Sequence, residues 1–169
     1  MTKARGWSEY FEKLSRLIPG MRGYQDKEAF RDTDKAVRAA VANKLADVKK
    51  TLDDAKRDLV DDGKIMDVDL IDRAHRKVQK IRGTIQYDSY GYAGYFDRVK
   101  IREPELEQLY TFDLNLFDDV DKLQALAQAV RGAEDVKGAV RNFEKGLDEF
   151  EALLKRRREF EIPQDGPAI

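Results

Sequence analysis

The sequence predicts an all-α protein, an antiparallel bundle of four long helices plus a short N-terminal amphipathic helix. Three observations carry that expectation. Apolar residues return every three or four positions through most of the chain, which is the period of one helix face. A two-residue alternation persists nowhere, so no sheet is expected. Breaks at Pro19-Gly20, Asp61-Asp62-Gly63 and Arg131-Gly132-Ala133 divide the chain into pieces of helical length.

The first piece, residues 7–18, places Trp7, Tyr10, Phe11, Leu14, Leu17 and Ile18 at helical spacing. Pro19-Gly20 ends it and Gly23 extends the break. A second helix is expected over 26–62. The Asp26/Lys27/Glu28 cluster supplies a cap and a partner for the helix dipole. Its stripe of Val41, Leu45, Val48, Leu52, Ala55 and Leu59 is spaced 4, 3, 4, 3, 4, a narrow coiled-coil-like seam on a helix about 50 Å long. So long and polar a helix needs other helices to cover that seam. Gly63 is the natural left-handed residue beyond its C-terminus.

A third helix, 69–87, repeats the pattern with Ile71, Ala74, Val78, Ile81 and Ile85. The periodicity then dissolves into an aromatic corner, 88–102, rich in tyrosine and glycine. Glu103-Pro104-Glu105 reads as a helix start, because proline and acids suit the first turn. The fourth helix, 104–131, directs Leu106, Leu109, Leu116, Val120, Leu123, Ala127 and Val130 inward. The fifth, 135–159, does so with Val136, Val140, Phe143, Leu147, Phe150 and Leu154. Residues 1–161 thus form one domain in two hairpins, and 162–169 are expected to be a flexible tail.

At 169 residues the chain can bury a core without staples. Its 38% charged residues and mean hydropathy of −0.69 suit amphipathic helices with wide solvated faces. The absence of cysteine removes disulfides, thiolate zinc sites and thiol nucleophiles. No opening run resembles a secretion signal and no stretch approaches bilayer length, so a cytoplasmic location is expected. Net charge is only −1, but residues 1–50 carry 12 Lys/Arg against 7 Asp/Glu while 101–150 carry 6 against 12. Neighbouring complementary helices explain that asymmetry, as does head-to-tail association between copies.

No motif points to a catalytic residue, a cofactor or a metal. Asp72 and His75 form an acid-x-x-His pair, half of a dinuclear metal site, but the chain has one histidine and Arg73, Arg76 and Lys77 surround it. Residues 58–69 overlay a twelve-residue calcium loop, yet Val60 stands where a ligand belongs and Asp69 replaces the bidentate glutamate. The basic stripe Arg73, Arg76, Lys77, Lys80 and the run Lys155-Arg156-Arg157-Arg158 could meet phosphates. Neither is interleaved with aromatics, and a basic last turn suits the dipole, so nucleic acid is not an expected partner. Asp113 interrupts the inward stripe of the fourth helix. Buried there, it needs an Arg, Lys or Tyr partner, or sets register.

The expected function is a non-enzymatic interaction or scaffold protein that binds a protein partner or itself, forming homo-oligomers, through helical seams and the aromatic corner. Its anchors are Trp7, Phe11, Tyr90, Tyr92, Tyr95 and Phe96, aromatics of the kind that dominate binding surfaces. No small-molecule substrate is evident. A peripheral membrane protein anchored by residues 7–18 is the alternative. A carboxylate-rich metal-binding bundle comes third.

Overall fold

A computed structural model describes residues 6–24, 26–87 and 103–161. The longest helix begins where Asp26, in extended backbone, accepts the Ala29 N–H at 2.9 Å on its carboxylate. That cap launches α2 (Lys27–Asp61), preceded by α1 (Trp7–Leu17). Helix α2 closes by a Schellman arrangement. Gly63, at φ +73°, lets its own N–H reach Val60 O and the Lys64 N–H reach Leu59 O. A 3₁₀ turn over Ile65–Asp67 then leads into α3 (Val68–Tyr87), a turn the polar connection did not announce. Helices α4 (Glu103–Val130) and α5 (Val136–Glu161) form the second hairpin. Gly132, at φ +74°, ends the first of them, and Asp135 caps the other by accepting the Gly138 N–H at 2.9 Å. No strand occurs among the described residues.

The fold is the all-α helical bundle that periodicity demands, and the apolar stripes become its core. Val41, Leu45, Val48, Leu52, Ala55 and Leu59 of α2 face Ile71, Ala74, Val78, Ile81 and Ile85 of α3 inside one continuous cluster with α4 and α5. Within each hairpin the helices are antiparallel. Between hairpins they are not. The pairs Lys44–Asp121, Thr51–Gln124 and Asp58–Arg131 climb together, so α2 and α4 run side by side in the same direction. Arg73–Glu144 and Lys77–Asp148 show the same for α3 and α5. Gly146 of α5 packs against α4, where an added methyl would come within 2.7 Å of Leu126 Cδ1 and push that side chain aside.

Two stripe positions and one residue of the basic run differ from the expectation. Leu17, on the apolar stripe of the first helix, is 46% exposed, while its stripe neighbours Leu14 and Ile18 are buried as expected. At the end of α5 the seam turns by one residue: Leu153 is buried and Leu154 is only partly covered. The basic run does not all face water, because Arg157 is 2% exposed. That last departure creates the central polar feature of the fold.

Candidate functional site

One end of the bundle holds a solvent-excluded polar cluster. Tyr24, Asp34 and Asp113 are each 0% exposed. Extending the α2 stripe backward from Val41 by four, three and four gives Val37, Asp34 and Phe30, so Asp34 occupies a core position. Asp113 occupies one on α4, between Leu109 and Leu116, and Arg157 occupies the next one on α5 after Phe150 and Leu153/Leu154. The guanidinium of Arg157 donates from Nε to Asp113 Oδ1 at 2.6 Å, from Nη1 to Asp34 Oδ1 at 3.0 Å and from Nη2 to Tyr24 OH at 3.1 Å. The Tyr24 hydroxyl donates to the other Asp113 oxygen. Arg38, one turn beyond Asp34, donates from Nε to Asp34 Oδ2 at 2.7 Å and from Nη1 to Ile85 O at 3.2 Å. Two carboxylates meet two guanidiniums, and α2, α3, α4, α5 and the α1–α2 connection all contribute.

Such a cluster is tolerated only because nearly every polar group in it is paired. Burial raises the Asp113 carboxyl above its ordinary value while Arg157 pulls it back. Burial, then the Asp113 charge, pushes the Tyr24 hydroxyl well above 10. Tyr110, whose hydroxyl accepts the Tyr24 backbone N–H at 3.1 Å, is pushed by burial to about 12. Both phenols therefore stay protonated in the folded state beyond the pH at which an unfolded tyrosine ionises, near 10. The stability they contribute is intact below pH 10 and falls as pH rises from there towards 12. Urea midpoints followed by circular dichroism should stay level from pH 8 to 9.5, then drop, with a shallower drop in Tyr24→Phe. Tyrosinate absorbance that reaches all seven tyrosines at pH 10 while the helical signal persists would contradict this.

An aromatic cluster backs the polar one. Trp7 stacks on Tyr110 with ring centres 6.2 Å apart, Phe11 meets the same ring edge-on at 5.7 Å, and Tyr24 leans on it at 5.2 Å. Two of the expected anchors, Trp7 and Phe11, are thus half-buried against α4. Insertion of α1 into a membrane surface would first have to break these contacts. No helix among the described residues is long and apolar enough to cross a membrane. The other four anchors, Tyr90, Tyr92, Tyr95 and Phe96, belong to the aromatic corner and lie outside the described residues.

Two of the ligand-like carboxylates, Asp72 and Asp58, are spent on ion pairs. Asp72 is held by Lys56 at 2.7 Å, and half-buried His75 places Nε2 3.1 Å from Asp53 Oδ1, without hydrogen-bond alignment. Asp58, the first position of the calcium overlay, is bound by Arg131 at 2.7 Å, and residues 58–61 remain helical. Among the described residues no group of three or more His, Asp or Glu side chains is placed to hold a metal. The basic stripe of α3 is partly consumed too. Arg73 and Lys77 reach across to Glu144 and Asp148 of α5. On the α2–α4 side Lys44 meets Asp121 at 2.7 Å, so complementary neighbouring helices account for part of the charge asymmetry.

One of the concave features among the described residues lies between α3 and α5, which pack more sparsely than the other neighbouring pairs of long helices. There a groove of about 430 Å³ opens near the end that holds the polar cluster. Ile81 and Ile85 form its floor, Leu154 and Ala152 one wall, Thr84 the other. Lys80, Lys155 and Arg158 stand at its rim with Asp148 and Glu151. The turn at Leu153/Leu154 helps to open it: Leu153 enters the core, and Leu154 is left for the wall. No family model matches this chain, and neither a curated protein nor a solved structure was found to match it.

Proposed function

We propose that this is a non-enzymatic, cytoplasmic interaction protein that receives a protein segment in the groove between α3 and α5. The supporting observation is the groove itself, an apolar floor inside a charged rim on a rigid helical frame. Burial of apolar side chains on Ile81, Ile85 and Leu154 would supply affinity, and the rim charges would set orientation. The polar cluster next to it serves as the frame: Arg157 fixes the same stretch of α5 that carries Leu154, Lys155 and Arg158. A preformed groove loses little order on binding.

A photoreactive phenylalanine analogue at position 84 or 152, both exposed, tests the reading in the native host. It should capture one partner that the same analogue at exposed Lys50 does not. In purified form that partner should bind Thr84→Glu/Ala152→Glu at least about tenfold more weakly than the unaltered protein. Equal capture from position 50, or unchanged affinity, would refute the groove as the binding surface.

A further inference from the structure

We propose that the occupant of this groove is the α2–α3 turn of a second copy, so that copies associate head to tail. The inference rests on the groove reading above and adds the partner. Its starting point is an apolar tip at the opposite end of the bundle. Val60 is 50% exposed, Ile65 68% and Met66 91%, three of the five large hydrophobics exposed among the described residues. The Schellman closure at Gly63 and the 3₁₀ turn hold them on one rigid hairpin end.

The surroundings of tip and groove are complementary in charge. Asp61, Asp62, Asp67 and Asp69 flank the tip, opposed within it by Lys64 alone. Lys80, Lys155 and Arg158 stand at the groove rim. Of the two acids there, Asp148 is already engaged by Lys77, and Arg158 has a partner of its own, which leaves Lys80 and Lys155 against Glu151. Acid-flanked apolar side chains thus face a base-rimmed apolar floor, the pairing that orients an encounter and disfavours like surfaces. A tip cannot fill its own groove. The α3 helix separates Ile65 from Ile81 and Ile85 by roughly 25 Å at 1.5 Å per residue. The contact is therefore between copies and joins two different surfaces, so each added copy leaves one tip and one groove open. A single turn in a shallow groove makes a small interface, which gives weak, salt-sensitive association.

Two surface double variants test this: Ile65→Asp/Met66→Asp at the tip and Thr84→Glu/Ala152→Glu in the groove. All four positions are exposed, and circular dichroism checks that both variants keep the native helical signal. In sedimentation velocity at low salt, the unaltered protein should gain mass steadily with concentration, and each variant alone should stay monomeric. An equimolar mixture of the two variants should form dimers and nothing larger, because only one live tip and one live groove remain. A strictly monomeric unaltered protein would overturn the proposal. So would either variant assembling normally, or a mixture that stays monomeric, which would indicate a symmetric contact. Should positions 84 and 152 capture a different protein while the unaltered chain is monomeric, the groove reading survives and this one is lost.

Discussion

Replacing Arg157 by methionine should cost about 3–5 kcal/mol at neutral pH, the range for removing one partner of a buried ion pair. The side chain is of similar length, so little packing is lost. What is lost is compensation. Asp113 would keep the Tyr24 hydroxyl but no cation, whereas Asp34 would keep Arg38. With Arg157 gone, burial would raise the Asp113 carboxyl further, since Arg157 is the largest influence now lowering it. The sign of the pH dependence follows. An acid whose folded pKa is raised is best accommodated when protonated, so its stabilising contribution is lost as pH rises through that value. The deficit of Arg157→Met relative to the unaltered protein should shrink between pH 7.5 and pH 5. Urea denaturation at both values measures it, and a deficit that grows on acidification would contradict the assignment of Asp113 as the stranded charge.

Removal of the Tyr110 ring should have a comparable effect with a distinct optical signature. Tyr110 is 0% exposed and carries Trp7 on one face, the Phe11 edge and the tilted Tyr24 ring. Tyr110→Ala should destabilise by about 3–5 kcal/mol, as for other buried aromatic truncations. It also strands the Tyr24 backbone N–H, which now donates to the Tyr110 hydroxyl. Trp7 is the sole tryptophan, so its fluorescence reports directly on α1. Emission should shift to the red in native buffer, before global unfolding, as α1 leaves α4. Unchanged emission would mean that α1 is held elsewhere.

The elements themselves were legible because their signals are local. The 4, 3, 4, 3 spacing, Asp26 at a helix start and Gly63 at a helix end each act within a turn or two, and each holds in the structure. Asp113 was legible as a carboxylate on an apolar stripe in need of a partner. Its partners were not. Arg157 sits in a basic run whose terminal position explains it equally well by the helix dipole. Only continuing the α5 stripe one step beyond Leu154 singles it out from Lys155, Arg156 and Arg158. Asp34 carries the same kind of signal, lying on the backward extension of the α2 stripe. Tyr24 carries none, because it lies in a connection where no periodicity applies. The parallel relation of the two hairpins depends on which faces meet across long sequence separations, and a single helix pattern does not encode that. The groove was hidden for a related reason. One of its walls carries Leu154, left partly exposed by the one-residue turn at Leu153/Leu154, which a strict repeat smooths over.

At one end of the bundle the buried cluster joins α4 to α5 through Asp113 and Arg157 and reaches α2 through Asp34, adding to the shared apolar core. A double-mutant cycle on Asp113→Leu and Arg157→Met measures the α4–α5 contact at the centre of that cluster most directly, because Asp34 retains Arg38 throughout. Each single change should be strongly destabilising, and the double variant should be more stable than the sum of the two by about 2 kcal/mol or more. Losses that add to within about 0.5 kcal/mol would mean that the two side chains do not meet, and the account of how this bundle is held in register would fail.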